Sequence, residues 1–130
     1  MDAMANGRYP IEIEPEVRLW LENISAQHYK QVERVVDLLA EEATTLDEPY
    51  SRHLGGKVRE LRFRLGDAHQ RLTYWLAPGR RVVLLTVFRK TRMREQTEVD
   101  RAQRAQRLCE TEHRAAAEHE IYSRDLKEDR

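Results

Sequence analysis

Residues 60–76 alternate apolar and polar side chains with a period of two, a pattern that only extended chain can sort onto two faces. In Glu60-Leu61-Arg62-Phe63-Arg64-Leu65 the odd positions form an apolar face and the even positions a polar, charged one. Gly66-Asp67-Ala68 supplies turn residues, and Gln70-Arg71-Leu72-Thr73-Tyr74-Trp75-Leu76 alternates again, with Arg71, Thr73 and Trp75 opposite Leu72, Tyr74 and Leu76. Pro78-Gly79 suits the centre of a type II turn, Pro fixing φ at the first position and Gly accepting a positive φ at the second. Val82-Val83-Leu84-Leu85-Thr86-Val87-Phe88 is almost continuously apolar, which predicts a central strand covered on both faces. Short connections make these three strands an antiparallel meander.

The charge of the chain is organised around this meander. Residues 52–94 hold twelve arginines and lysines against Glu60 and Asp67, a net of +10, while residues 1–51 (4 basic, 11 acidic) and 95–130 (7 basic, 10 acidic) carry −7 and −3. The formal total of zero therefore conceals a basic sheet between two acidic segments. Clustered positive charge of this kind is the electrostatic footprint of a surface that meets phosphates. Because Arg62 and Arg64 share a parity, and an antiparallel neighbour can place Arg71 beside them, all three are expected on one surface.

The rest of the chain bounds the fold. Its 130 residues suit one domain. Met1–Arg8 reads as a flexible leader, and Tyr9-Pro10-Ile11-Glu12-Ile13 as a short strand with Pro10 at its start. Pro15 opens a helix through Leu21, and Ser25 caps a second one running to about Ala43. In that helix Tyr29, Val32, Val36, Leu39 and Ala43 make one apolar stripe, so the two helices form a hairpin. Thr44 to Gly56 reads as a loop. Gln96 to about Tyr122 lacks Pro and Gly and reads as a long helix, its half from Glu110 onward a polar extension outside the 9–109 domain. The fold class is α+β. Cys109 is the single cysteine, and the histidines show no ligand spacing, so no metal or other cofactor is expected. With no apolar run near ~20 residues and no secretory pattern, a cytoplasmic location without membrane contact is expected.

The order of these elements, together with Gly55-Gly56, Glu60-Leu61-Arg62, Arg71-Leu72-Thr73-Tyr74 and Leu84-Leu85-Thr86-Val87-Phe88-Arg89-Lys90, resembles the RelE/ParE superfamily of bacterial toxins over residues 9–108, and within it the HigB-like, phage-derived branch. The resemblance implies a type II toxin, held by an antitoxin that is a helix-turn-helix protein encoded beside it. It further implies that the toxin cuts mRNA in the ribosome as a cofactor-free endoribonuclease and so inhibits translation. Carried over by position, it assigns catalysis to Arg62, Arg64, Arg71, Arg89, Lys90 and Arg92. Asp100 stands where RelE has a catalytic tyrosine. The alternatives are a ParE-like toxin that poisons a topoisomerase without cleaving, and an RNA-binding relative with impaired catalysis.

Cleavage of RNA by its own 2′-hydroxyl needs a proton acceptor, cations for the charge building on phosphorus, and a proton donor for the departing oxygen. Arginine, always protonated, serves only as the cation. The acid and base are to be sought among Lys57, Lys90, His69, Glu60, Tyr74 and Asp100. Lys57, Arg59, Trp75 and Arg94 are candidate RNA contacts, Trp75 because its parity with Arg71 would let it stack on a base. The competing readings are ordinary ones: solvated strand arginines at Arg59, Arg80 and Arg81, a half-buried sheet tryptophan at Trp75, and a Glu60 that only neutralises Arg62. An antitoxin is expected to dock on the helices and leave the basic face open.

Overall fold

The computed structural model describes residues 8–91, 95–112 and 120–121. Strand β1 (Ile11–Ile13) leads into helices α1 (Pro15–Asn23) and α2 (Ala26–Glu41), followed by β2 (Ser51–Gly55), β3 (Val58–Leu65), β4 (Ala68–Ala77), β5 (Arg81–Arg89), α3 (Glu95–Glu112) and β6 (Glu120–Ile121). The six strands form one sheet in the order β2-β3-β4-β5-β1-β6. All neighbours are antiparallel except β1 and β5, which run parallel with Ile11 opposite Val82 and Ile13 opposite Leu84. The fold class is therefore α+β, with the expected meander at its centre.

The helix hairpin forms where the apolar stripe and caps place it. Pro15 occupies the first turn of α1, and the Ser25 hydroxyl accepts the His28 N–H at 3.0 Å to cap α2. Val17 and Leu21 of α1 join Tyr29, Val32, Val36 and Leu39 of α2 against Leu61, Leu65, Leu72, Tyr74, Val82 and Leu84 of the sheet. A second, smaller core lies on the opposite face, where Ala102 and Cys109 of α3 pack on Val58, Trp75, Ala77, Val83 and Leu85. Strand β5 is thus covered on both sides, as its continuous apolar run requires.

Three expectations change. The segment read as a loop to Gly56 holds β2, which pairs with β3 through Arg52–Glu60 and His53–Arg59. The cause is Gly56-Lys57, a two-residue connection with Gly56 at φ 57, a hairpin signal that the preceding glycine and proline obscured. The helix expected to reach Tyr122 extends to Glu112 among the described residues, and Glu120–Ile121 pair with β1 as a sixth strand. The Pro78-Gly79 turn closes through a third residue, since Gly79 (φ 87) is followed by Arg80 (φ 60) and Ala77 pairs with Arg81. Arg80 lies over the Tyr9 ring at 4.3 Å. The proposed leader lies outside the described residues apart from Arg8, whose guanidinium pairs with Glu41 and Asp37 of α2.

One ion pair fastens β1 to the meander. Arg81 Nη1 donates to Glu12 Oε1 at 2.9 Å, and its Nε donates to the Pro78 carbonyl at 2.8 Å, with Glu12 fully buried. Removing one partner of a buried pair strands the other charge in a poor dielectric. Arg81→Met is expected to lower stability in urea unfolding by about 3 kcal/mol, while Glu12→Leu combined with Arg81→Met recovers most of that loss.

Candidate RNA-contact face

Helix α3 packs on Val58, Trp75, Ala77, Val83 and Leu85, and the rest of that side of the sheet carries the charge. Cross-strand register arranges it in three rows. Arg52, Glu60, Thr73 and Thr86 form the first, Arg62, Arg71 and Phe88 the second, and Arg64 faces His69 in the third. Lys90 extends the third row, its N–H bonded to the His69 carbonyl at 2.8 Å. The expected common surface for Arg62, Arg64 and Arg71 is therefore present, with Arg62 and Arg71 directly paired.

At its centre lies Glu60. The side chain is fully buried, and its Oε2 is 3.6 Å from Arg71 Nε and 3.7 Å from Arg62 Nε, beyond hydrogen-bond reach. Neither carboxylate oxygen has a hydrogen-bond partner, nor does either Nε. Thr73 and Thr86 satisfy each other instead, Oγ1 to Oγ1 at 2.6 Å. Burial pushes the Glu60 carboxyl above the ordinary glutamate range, against the pull of Arg71 and then Arg62, and Glu95 pushes it the same way as burial. Arg71, 4 % exposed, is lowered by burial and by Arg62, with Glu60 opposing. A carboxylate close to two cations yet hydrogen-bonded to nothing has free lone pairs with which to accept a proton.

Other candidates fall elsewhere. Arg59 lies on the hairpin side, paired across to Tyr74, where its Nε donates to Ser51 Oγ at 3.2 Å and Nη2 to the Leu46 carbonyl. It is an internal brace of β2, because its parity follows Leu61 and not Arg62. Arg89 is exposed but opposite Gln70, so the register turns it away from Arg71. Trp75 is 3 % exposed beneath α3, which rules out base stacking there. Lys57 caps it at 5.9 Å and pairs with Glu110, five residues along the strand from Arg62 and roughly 16 Å away by strand rise. Tyr74 is buried on the hairpin side, its hydroxyl 2.6 Å from Ser51 Oγ. Asp100 is exposed on α3 and accepts from Gln96 Nε2. Arg92 and Arg94 lie outside the described residues. Glu60, assigned by alternation to a wet face, is instead enclosed by the long side chains around it.

Two members of the face were not singled out from sequence. Arg52 is exposed beside Glu60, and was hidden by reading its strand as loop. Glu95, the first residue of α3, bonds Lys90 Nζ at 2.9 Å and was one acid among many in an acidic segment. Among the described residues no cluster of three or more His, Cys, Asp or Glu side chains is placed to hold a metal ion, and no helix is long and apolar enough to cross a membrane.

The fold of the chain is shared with a solved structure. A double arginine-to-alanine mutant of the E. coli toxin RelE in the free state matches with a TM-score of 0.55 and 14% sequence identity, over 75% of this chain and 96% of that one. No curated protein matches the sequence. The model of the family described as Phage derived protein Gp49-like matches residues 19–110, from α1 through almost all of α3. The chain belongs to this Gp49-like, phage-derived family, a family of RelE-like toxins of toxin–antitoxin systems.

Proposed function

We propose that the protein is a ribosome-dependent mRNA endonuclease of a toxin–antitoxin pair, and that Glu60 is its proton acceptor. The observation that carries this reading is the buried Glu60 carboxylate without hydrogen bonds between Arg62 and Arg71. Arg64 and the part-exposed Arg62 reach an incoming phosphate, and Arg62 in turning to it uncovers the Glu60 carboxylate and Arg71 beneath. Glu60 takes the proton of the adjacent 2′-hydroxyl, the 2′-oxygen forms a bond to phosphorus, and the P–O5′ bond breaks with its electron pair leaving on the 5′-oxygen. Arg62, Arg71, Arg64 and Arg52 offset the charge on the phosphoryl oxygens. His69, exposed beside Arg64, supplies the proton to the leaving oxygen, a task to which imidazole is suited near neutral pH. The products are a 2′,3′-cyclic phosphate and a 5′-hydroxyl, and the reaction draws on no metal. Positioning of the mRNA by the ribosome supplies the alignment that a shallow face does not. The neighbour-encoded antitoxin docks on the helical surfaces in this reading.

Toeprinting of a translated mRNA with added protein tests it. New 3′ ends are expected only when ribosomes are present. Glu60→Gln is expected to slow cleavage by about 10²–10⁴-fold, and Arg62→Ala or Arg71→Ala by about 10²–10³-fold, with Arg8→Ala at the wild-type rate. Cleavage undiminished in Glu60→Gln would remove the carboxylate from the mechanism. Absent cleavage together with inhibited DNA supercoiling would move the chain to the topoisomerase-poisoning class.

The pH dependence follows from the direction of the Glu60 shift. A base works only when deprotonated, and burial raises this carboxyl, so single-turnover cleavage should increase with pH through an inflection above the ordinary glutamate range. That inflection should vanish from the residual activity of Glu60→Gln. An inflection within the ordinary glutamate range in the wild type would show that the acceptor is a solvated carboxylate elsewhere.

A further inference from the structure

Lys90 follows β5 directly, its backbone fixed to the His69 carbonyl and its ammonium held by Glu95 at 2.9 Å. The two side chains are 36% and 39% exposed, unlike the sealed Glu12–Arg81 pair. Glu95 faces the basic sheet as well as Lys90. Its carboxyl is pulled below the ordinary range first by the Lys90 hydrogen bond, and Arg71 and Arg52 pull the same way. The same carboxylate acts on Glu60 in the opposite sense. An acid in the first turn of a helix is also favoured by the helix dipole, so Glu95 keeps a stabilising environment when Lys90 departs. Lysine, a compact charge on a flexible stem, can change partner without moving the backbone.

We propose that Glu95 stands in for a substrate phosphate in the unbound protein, holding the Lys90 ammonium by a hydrogen bond and releasing it when an RNA phosphate reaches the face. Glu95 is thus a positioning residue, and Lys90 a phosphate contact recruited by exchange. The inference rests on the RNA reading above, and it makes free affinity lower than the cations alone would give. It also favours substrates that present a phosphate at the end of the third row, beside His69 and Arg64.

The test is a binding cycle with a labelled single-stranded oligoribonucleotide, followed by anisotropy between 50 and 200 mM salt. Glu95→Gln is expected to tighten binding about two- to fivefold, the range an exposed ion pair is worth, with the logarithmic salt slope kept, while Lys90→Ala flattens that slope by about 0.7, one phosphate contact on a single strand. In a Lys90→Ala background the same substitution should gain nothing. Glu22→Gln, which adds the same net charge by removing the partner of Arg18 on α1, should change neither quantity. An equal gain with Lys90 absent, or from Glu22→Gln, would reduce the effect to net charge and overturn the proposal, as would unchanged binding in Glu95→Gln. Elution of the same variants from phosphocellulose separates this failure from failure of the RNA reading. If no variant binds the oligoribonucleotide but elution is later for Glu95→Gln and Lys90→Ala cancels the delay, the exchange stands and the RNA reading falls. If RNA binds and the cycle shows no coupling on either medium, the exchange falls and the RNA reading stands.

Discussion

Strand β5 can be buried on both faces only if each side of the sheet finds an apolar cover, and this requirement arranges the rest of the molecule. The helix hairpin supplies one cover, over β1, β3, β4 and β5. Helix α3 supplies the other, but its apolar seam of Ala102, Ala105 and Cys109 is narrow and sits over Trp75, Val83 and Leu85. The rows through Glu60 and Arg71 lie beyond that seam. The polar side chains there cover one another, Thr73 bonding Thr86 and Arg62 and Arg71 lying beside Glu60. The charged face is therefore a consequence of an incomplete second layer, and α3 both borders it and contributes Glu95 to it.

The electrostatics of this face are tightly balanced. Two arginines and a buried carboxylate without hydrogen bonds are an expensive combination, since each charge gives up water for partners held slightly too far away. A structural ion pair would close that gap, as Glu12 and Arg81 do within 2.9 Å on the same sheet. Perturbed titration together with missing hydrogen bonds is the pattern found where a site is arranged for chemistry. Glu12, bonded to Arg81, fastens two strands, and Glu60, bonded at neither oxygen, is the proposed proton acceptor.

Much of the fold was legible because it is written in short-range periodicity. The alternation at 60–76 and the run at 82–88 fixed the meander, and Ser25 and Pro15 marked the helix hairpin. Parity was enough to bring Arg62, Arg64 and Arg71 together. What parity could not show was depth: it assigned Glu60 and Trp75 to the correct side but put Glu60 on a wet face and left Trp75 open between base stacking and a half-buried position, because cover comes from α3 and from neighbouring side chains distant in sequence. Arg59 was placed by counting charge without face, and Arg89 by carry-over from the family pattern without its register. Strand β2 was lost because the glycines and proline around it are the usual marks of a loop, and the β1–β6 pairing joins residues more than a hundred positions apart, which local pattern does not encode.

The burial of Cys109 has a practical consequence. Its thiol is pushed up to about 12, chiefly by burial, beneath the helix that borders the proposed face. Thiolate, the reactive form, is scarce while α3 is docked, and alkylation must await its departure. As the chain's single cysteine, Cys109 makes the protein its own clock for helix opening: the rate at which a maleimide labels the unmodified molecule measures how often the second layer lifts from the sheet, and whether RNA or an antitoxin keeps it down.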